Sequence, residues 1–121
     1  MAKQMKQFLA VFLGKEATMK EWDTLDEKVR EQREAAGMKA WGDWVAKHAA
    51  SIVNQGAPLG ATKHVDKKGI SKVRNDLCVY VVVQAESHEA AAKMFLNHPH
   101  FTIFPGDSIE VMECLEVPGK E

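Results

Sequence analysis

His48 is the residue whose type and position most readily suggest acid–base chemistry. It follows Trp44 by one helical turn and Trp41 by two, on one apolar stripe of a predicted helix. Burial and neighbouring groups can tune such an imidazole to a pKa near neutrality, where it serves as a general base. In the alternative interpretation, His48 packs at the helix end and bonds to a backbone carbonyl.

Two aspartates could orient that imidazole. Asp76 precedes a predicted strand, and Asp107 lies in a loop before the last strand. A carboxylate that accepts a hydrogen bond from one ring nitrogen fixes the tautomer of a catalytic histidine. We therefore predict His48 as the base and Asp107 or Asp76 as its partner. Asp76 also fits a plain structural role, because aspartate is common in the turns that lead into strands.

His98 and His100 flank a proline directly after a predicted helix. With Asp107 they offer ligand types that suit zinc or iron. However, alternate residues around a proline need not converge, and the spacing matches no established metal motif. We predict no metal and no cofactor, and we expect His98 and His100 to line a substrate pocket. In the alternative interpretation they end the helix and form loop hydrogen bonds.

Trp41, Trp44 and Tyr80 are the predicted apolar walls of that pocket. The two tryptophans are three residues apart, so they share one helix face. Flat aromatic side chains can bound a planar, ring-shaped substrate. Tryptophans at helical spacing are also typical of cores, and we expect at least one of the two to be a core residue.

Cys78 and Cys114 are the two cysteines, and each lies in an apolar stretch. Neither has a basic neighbourhood that would lower the thiol pKa, so nucleophilic catalysis is not expected. We interpret both as buried thiols of a cytoplasmic protein, without a disulfide. The sequence contains no phosphate-binding Gly-rich loop, nucleotide fingerprint or nucleophile elbow.

The composition is that of one ordinary globular domain. Of 121 residues, 45% are hydrophobic and 27% charged, and the formal net charge is -1. Proteins that bind nucleic acids or anionic membranes usually carry a basic excess, which is missing here. The first apolar run, Phe8 to Leu13, is too short for a signal peptide or a membrane span. We predict one domain over 1–117 and a flexible tail over 118–121.

Alternating and β-branched segments indicate four main strands. They are predicted over Met5–Leu13, Ala57–Val65, Leu77–Ala85 and Ile109–Leu115, with a turn at Asp66–Gly69 and a less regular strand over 70–75. The first and third of the four are apolar on both faces, so both faces are expected to be buried.

A periodic apolar stripe predicts a long helical region that runs to about Gln55. Thr18 and Thr24 each open a capping-box pattern at its beginning. Gly37 predicts a break or kink between a short helix and the main one. Further along, Ser87 is the predicted N-cap of a helix over 88–97, which Pro99 ends; residues 101–104 are expected to be extended.

The order strand, helix, strand, strand, helix, strand predicts a ferredoxin-like α+β fold: one βαββαβ antiparallel sheet with the helices on one face. A second sheet face this apolar needs a cover. The economical cover is the same face of a second copy, related by a twofold axis. We therefore predict a homodimer of the dimeric α+β barrel kind, with loops folded over the sheet of a monomer as the alternative.

The layout and several short strings resemble the YCII-related family of dimeric α+β barrel proteins. The similar residues span nearly the whole chain, chiefly at turns and packing positions: Trp22, Leu25, Trp41, Trp44, Gly56–Leu59, Tyr80–Ala85, Ser87, Glu89–Ala91, His98, Pro99 and Gly106–Val111. The resemblance implies the fold and the pairing more firmly than a function, because one fold hosts many functions.

Two features of the family are replaced in this chain. Some members carry a histidine on the first helix and an aspartate near its end, as a pair; the corresponding positions hold Trp44 and Asn54. Another branch carries Asp-Gly-Pro-Phe in roughly the region of Lys68-Gly-Ile-Ser71. His48, one turn after Trp44, is the residue that could approach the same space.

These observations favour a small-molecule enzyme of lyase, isomerase or dehalogenating type. It is expected to act without a cofactor on a small cyclic or aromatic compound. One alternative is a non-catalytic domain that holds a metabolite in the same cleft, and another is a structural homodimer module with incidental histidines. Neither nucleic acid nor membrane is an expected partner.

Overall fold

The computed structural model describes residues 4–118. The strands are β1 (Lys6–Leu13), β2 (Ile52–Pro58), β3 (Thr62–Asp66), β4 (Gly69–Val73), β5 (Leu77–Ala85) and β6 (Ser108–Glu113). The helices are α1 (Glu16–Asp23), α2 (Glu27–Lys47), α3 (His88–Lys93) and α4 (Pro99–Thr102), and a 3₁₀ turn covers Ala49–Ser51. Of the predicted tail over 118–121, all but Pro118 lies outside the described residues.

The predicted ferredoxin-like fold is confirmed. Four strands form an antiparallel sheet in the order β2-β5-β1-β6, and β3 and β4 form a separate hairpin between β2 and β5. Without that hairpin the element order is βαββαβ, with the two most apolar strands, β1 and β5, at the centre. Among residues 4–118, no helix combines the length and apolar character that a membrane crossing requires.

One face of the sheet carries the core. Phe8, Ala10 and Phe12 of β1 are fully buried, and they pack with side chains from the helical layer such as Trp44 of α2 and Ala91 of α3. Burial of a phenylalanine of this size stabilises a fold by about 2–3 kcal/mol. The residues between them, such as Leu9 and Val11, face the other way and are half-exposed, so the second face is open in a single chain.

The beginning of the helical region differs from the prediction at both threonines. Lys15 and Asp26 occupy the N-cap positions of α1 and α2, without side-chain caps. Thr18 lies inside α1 and Thr24 at its end, where its hydroxyl donates to the carbonyl of Glu21. The capping-box interpretation is therefore wrong, because these two hydroxyls bond elsewhere.

The predicted break at Gly37 is also wrong, since α2 is continuous from 27 to 47. The chain breaks instead between α1 and α2. Gly37 is buried against Phe104, and a Cβ at this position would lie 2.5 Å from two ring atoms of that side chain. The glycine thus serves close packing rather than a kink.

The helix ends at Lys47, eight residues before the predicted end, and the second strand begins at Ile52 instead of Ala57. Ile52 belongs to the apolar stripe by spacing, yet it pairs with Val83 in the sheet. The predicted strand over 57–65 is divided between β2 and β3, whereas the turn at Asp66–Gly69 and the bounds of β5 are confirmed.

The second helical region is shorter than predicted. Ser87 is the N-cap of α3, as expected, and accepts a hydrogen bond from the amide of Ala90. The helix ends at Lys93, and Asn97 adopts a positive φ of 57°. Pro99 begins α4 rather than ending a helix, which suits its fixed φ and its missing N–H. The extended segment predicted over 101–104 is therefore wrong.

Replacement of Gly37 by alanine is expected to destabilise the protein, although alanine is the better helix former. The gain in helix propensity, about 1 kcal/mol, is offset by overpacking against Phe104, which costs roughly 1–3 kcal/mol. Gly42→Ala is the matched control in α2, because, apart from its chain neighbours and the backbone of the helix itself, no atom of residues 4–118 lies within 4 Å of its Cβ position. Urea unfolding should therefore give changes of opposite sign, and equal stabilisation by both variants would contradict the packing role of Gly37.

Candidate functional site

A cavity of about 420 Å³ opens between α2, the β2–β5 edge of the sheet and the loop after α4. Its size falls within the range of small-molecule sites. The lining is predominantly apolar, with an imidazole, an amide and a thiol as its polar groups: Met19, Met38, Trp41, Gln55, Gly56, Ala57, Pro58, Cys78, Val79, His100, Phe104, Pro105 and Gly106. We call this the main pocket.

Backbone irregularities shape the floor of the main pocket. Gly56 has a φ of 66°, and a Cβ there would lie 1.7 Å from the carbonyl oxygen of Tyr80. The side chain of Asn54 accepts a hydrogen bond from the Gly56 amide and holds the irregular strand. Only glycine permits this approach, so β2 can lie close against β5 and present residues 55–58 to the cavity.

His100 enters the main pocket from α4 and is almost fully buried. Its Nε2 donates to the carbonyl oxygen of Leu13 at 2.8 Å, so Nε2 carries the proton of the neutral ring. Burial lowers the pKa of His100, although the backbone of Leu13 and Ser108 and the carboxylate of Asp107 act in the opposite direction. The ring is therefore neutral near pH 7, with an unprotonated Nδ1.

Asp107 lies close to that imidazole and is tightly held. Its carboxylate accepts hydrogen bonds from the backbone N–H of Lys15 at 2.6 Å and from the hydroxyl of Thr18 at 2.9 Å. These two donors lower the pKa of Asp107, with a smaller contribution from His100. The residue is thus a fixed negative charge near His100, rather than a partner of His48.

His98 lies in an aromatic enclosure behind the main pocket and has no exposed surface. Its Nδ1 accepts a hydrogen bond from the His100 amide, which makes it the N-cap of α4. Its Nε2 has no hydrogen-bond partner within residues 4–118. Burial, followed by the nearby His100 and His48, lowers the pKa of His98 to about 3. The enclosing rings are Phe12, Trp41, Trp44 and Phe95.

The three residues predicted as the apolar walls of the pocket lie in three different places. Trp41 lines the main pocket and stacks on Phe12. Trp44 is a core residue whose indole N–H donates to the carbonyl of Met94 at 2.7 Å. Tyr80 alternates with the half-buried Val79 and the buried Val81 and so lies on the open face of the sheet, and it is not among the residues that line the main pocket.

His48 packs on Trp44 and lies in a separate depression of about 520 Å³ between α2 and the segment after α3. Burial, followed by the charge of Lys47, lowers the pKa of His48. Asp76 instead pairs with Arg74 at 2.6 Å near the base of the hairpin. The structure thus brings His100 and Trp41 together in the main pocket, with Asp107 near His100 but in the lining of another depression, and it does not bring His48 to either aspartate.

Of the residues that line the main pocket, the sequence predicts Trp41 and His100 and misses the others, among them Gln55, Cys78 and Phe104. A helix end at Gln55 and an extended segment at Phe104 give no reason to place either side chain in a pocket. Cys78 is half-buried beside Met19, whereas Cys114 is exposed, which corrects the expectation of two buried thiols; both are free. Burial raises the pKa of the Cys78 thiol, so it is poorly suited to act as a nucleophile.

The described residues contain no group of three or more His, Cys, Asp or Glu side chains placed to hold a metal ion. His98 and His100 are neighbours, but the hydrogen bonds of Nδ1 of His98 and Nε2 of His100 are directed at backbone atoms.

The fold defines an α+β protein of the ferredoxin-like type. Comparison with solved structures finds the same fold in 5-chloro-2-hydroxyhydroquinone dehydrochlorinase from Burkholderia phenoliruptrix AC1100, in complex with 2,5-dihydroxybenzoquinone. The TM-score is 0.53 at 18% sequence identity, over 95% of this chain and 99% of the other. No protein-family model and no curated protein matches the sequence. At this identity the likeness concerns the fold, and membership of the YCII-related family stays a prediction.

The stability of the protein is expected to fall as the pH drops below about 6.5. The pKa of His98 is about 3 in the folded chain and 6.5 in the reference state. Between these values the unfolded chain binds more protons, so the free energy of unfolding decreases with falling pH, by at most about 1.4 kcal/mol per pH unit for this residue. Urea unfolding between about pH 7 and pH 5 measures this slope.

The matched variant is His98→Asn, whose side-chain oxygen can still accept the hydrogen bond from the His100 amide. Its overall stability is lower because part of the ring volume is lost. Its pH slope should nevertheless be shallower than that of the wild type, since of these buried histidines only His48 and His100 then contribute. Equal slopes would show that His98 is protonated in the folded chain.

Proposed function

We propose that the main pocket binds a small planar cyclic or aromatic compound and that the protein is a cofactor-free enzyme of lyase, isomerase or dehalogenating type. The proposal rests on a cavity of about 420 Å³ with apolar walls and one neutral imidazole. Trp41 and Phe104 contribute aromatic walls. Such a site favours a flat ring over a flexible or highly charged chain molecule.

In this proposal His100 is the general base. Its Nδ1 lacks a proton near pH 7, so it can accept one from a substrate C–H or O–H. The imidazolium that forms is stabilised by the carbonyl of Leu13 and by the carboxylate of Asp107. In an elimination, the substrate's electron pair forms a new double bond and the leaving group departs as an anion. In an isomerisation, the proton returns to another ring atom.

The structural neighbour supports this class of substrate without establishing it. That protein is described as a dehydrochlorinase of a hydroquinone and was solved with a benzoquinone bound. A similar ring is small enough for the main pocket, and the amide of Gln55 offers a hydrogen-bond partner to ring oxygens.

We expect 2,5-dihydroxybenzoquinone to bind and to quench tryptophan fluorescence, and 5-chloro-2-hydroxyhydroquinone to be turned over with chloride release. Trp41→Ala should weaken binding by about tenfold, in line with the loss of one aromatic contact. His100→Gln keeps an N–H for the Leu13 carbonyl but lacks the base, so kcat should fall by about 10²–10⁴-fold while KM changes little. Titration and chloride assays of each variant measure these effects.

Two further histidine variants complete the experiment. His64→Gln is a surface control on the hairpin, away from the main pocket, and should be neutral. His48→Ala tests the base that the sequence predicted. If kcat falls sharply in the His48 variant and is unchanged in the His100 variant, then His100 is not the base and the base is His48, as the sequence predicted.

A specific observation favours a second candidate, a non-catalytic metabolite-binding domain. Within residues 4–118, no imidazole that lines the main pocket is hydrogen-bonded to a carboxylate, because Asp107 binds Lys15 and Thr18 instead. In that case the ligand binds, Trp41→Ala weakens binding, no product forms, and His100→Gln leaves the affinity unchanged.

We also propose that the protein is a homodimer through the open face of the sheet. Leu9, Val11 and Leu13 alternate with the buried residues of β1, and Tyr80 and Val82 lie beside them on β5. Their side chains are half-exposed in one chain and form a continuous apolar surface. A second copy of the same face would bury it by sheet-on-sheet packing.

Sedimentation velocity at micromolar concentration should find a dimer for the wild type. Leu9→Lys places a charge on the open face, between Val82 and Met112, and should give a folded monomer, because an unpaired charge is costly to bury. Leu96→Lys is the control, since Leu96 is exposed on the helical side. A monomeric wild type would overturn the proposed pairing.

A further inference from the structure

The β3–β4 hairpin extends from the sheet with an uncovered apolar pair on one face. Val65 and Ile70 are directly opposite each other, and they are 71% and 73% exposed. A two-stranded hairpin on its own is marginally stable in water. The two strands pack chiefly on each other, held at the base by the bond from Asn75 to Thr62. Two aliphatic side chains in this position need a partner surface.

The same face of the hairpin is strongly basic. Lys63 and Lys72 are directly opposite each other, two residues from the aliphatic pair, and neither forms an ion pair within residues 4–118. Like charges at facing positions destabilise a hairpin. Residues 62–74 carry a formal charge of +4 in a chain whose total is -1. The pattern therefore predicts an acidic partner with apolar side chains.

The C-terminal part of this same chain has that complementary pattern. Residues 108–117 contain three glutamates and no lysine or arginine. Met112 is 40% exposed, and Met112, Cys114 and Glu116 follow Glu110 at intervals of two residues, on the open face that Met112 shares with Leu9. The hairpin repeats this interval, since Lys63 precedes Val65 and Ile70 precedes Lys72. Within the described part of the chain, no strand pairs with the outer edge of β6.

The β3–β4 hairpin and the segment at the end of β6 lie at diagonally opposite corners of the sheet. The hairpin follows Pro58, whose row in the sheet runs through Val79. The end of β6 lies at the opposite edge of the sheet and at the opposite end of its strands, in the row that contains Phe8 and Ile52. They cannot meet within one chain. Suppose that two sheets face each other and are related by a twofold axis that lies midway between them, perpendicular to this diagonal. The rotation then exchanges the two corners, so each hairpin lies over the C-terminal segment of the other chain.

We propose that the hairpin of each protomer packs on residues 110–116 of a second copy. Val65 and Ile70 contact Met112 and Cys114 there, and Lys63 and Lys72 face Glu110 and Glu116. Both contacts form at once because the interface is symmetric. The inference rests on the homodimer proposed above and adds an interlocking contact at each end of it. Since the hairpin joins the strands that contribute residues 55–58 and 78–79 to the main pocket, the contact also steadies the pocket wall.

Disulfide trapping with the native thiol of Cys114 tests the contact. In a Cys78→Ser background, Ile70→Cys should give a covalent dimer under mild oxidation, through a disulfide to Cys114 that mass spectrometry identifies. Ser71→Cys is the matched control, because its side chain lies on the other hairpin face. Addition of Cys114→Ser should abolish the product.

A charge-reversal cycle supplies a measurement that needs no new thiol. Lys72→Glu and Glu116→Lys should each weaken the dimer by about three- to tenfold, and the double variant should recover most of the affinity. Sedimentation equilibrium gives the dissociation constants.

The outcomes separate this contact from the pairing itself. If the wild type is a dimer but Ile70→Cys gives no disulfide to Cys114 and the reversals do not compensate, the hairpin contact is wrong and the sheet-to-sheet dimer stands. If the wild type is a monomer, both fail. A disulfide-linked dimer through Cys114, together with recovered dimer affinity in the double charge-reversal variant, supports the contact.

Discussion

Phe12 ties the sheet to the helical layer, and the rest of the structure depends on this packing. Its ring lies 5.3 Å from the centroid of Trp41, 5.9 Å from Phe95, 5.0 Å from His98 and 5.2 Å from His100. These partners come from α2 and from the segment that runs from α3 to α4. One side chain of β1 thus fixes the spacing between the elements that enclose the main pocket. Aromatic pairs of this kind contribute about 0.5–1.5 kcal/mol each beyond area burial.

The carbonyl of Leu13, next to Phe12, extends this control to the polar groups. It accepts hydrogen bonds from Nε2 of His100 and from the amide of Asp107, using both lone pairs. The end of β1 therefore determines the tautomer of the imidazole and the position of the carboxylate beside it. A buried carbonyl at a strand end is costly unless it accepts a hydrogen bond. The two hydrogen bonds that satisfy the Leu13 carbonyl therefore also orient the polar groups of the site.

The sequence predicts the sheet well and the connections poorly. The bounds of β5 and the cap at Ser87 follow from local patterns of β-branched residues and from a serine's ability to accept a backbone N–H. Local patterns failed where tertiary packing decides. Gly37 is read as a helix breaker from propensity, yet its missing Cβ makes room for Phe104. Ile52 continues a helical stripe by spacing, yet it pairs with Val83, which no local signal reveals.

The candidate site shows the same limit at the level of chemistry. His48 follows from spacing on one helix, because i and i+4 positions share a face whatever the rest of the chain does. The proximity of His100 to Asp107 depends instead on Pro99 starting a new helix and on Gly106 passing against the imidazole, where a Cβ would lie 2.2 Å from Cε1. A search based on helical periodicity thus finds the histidine beside Trp44 and gives no reason to prefer His100 with Asp107. Loops positioned by a rigid scaffold commonly carry functional residues, and here β1 supplies that scaffold through one aromatic ring and one carbonyl.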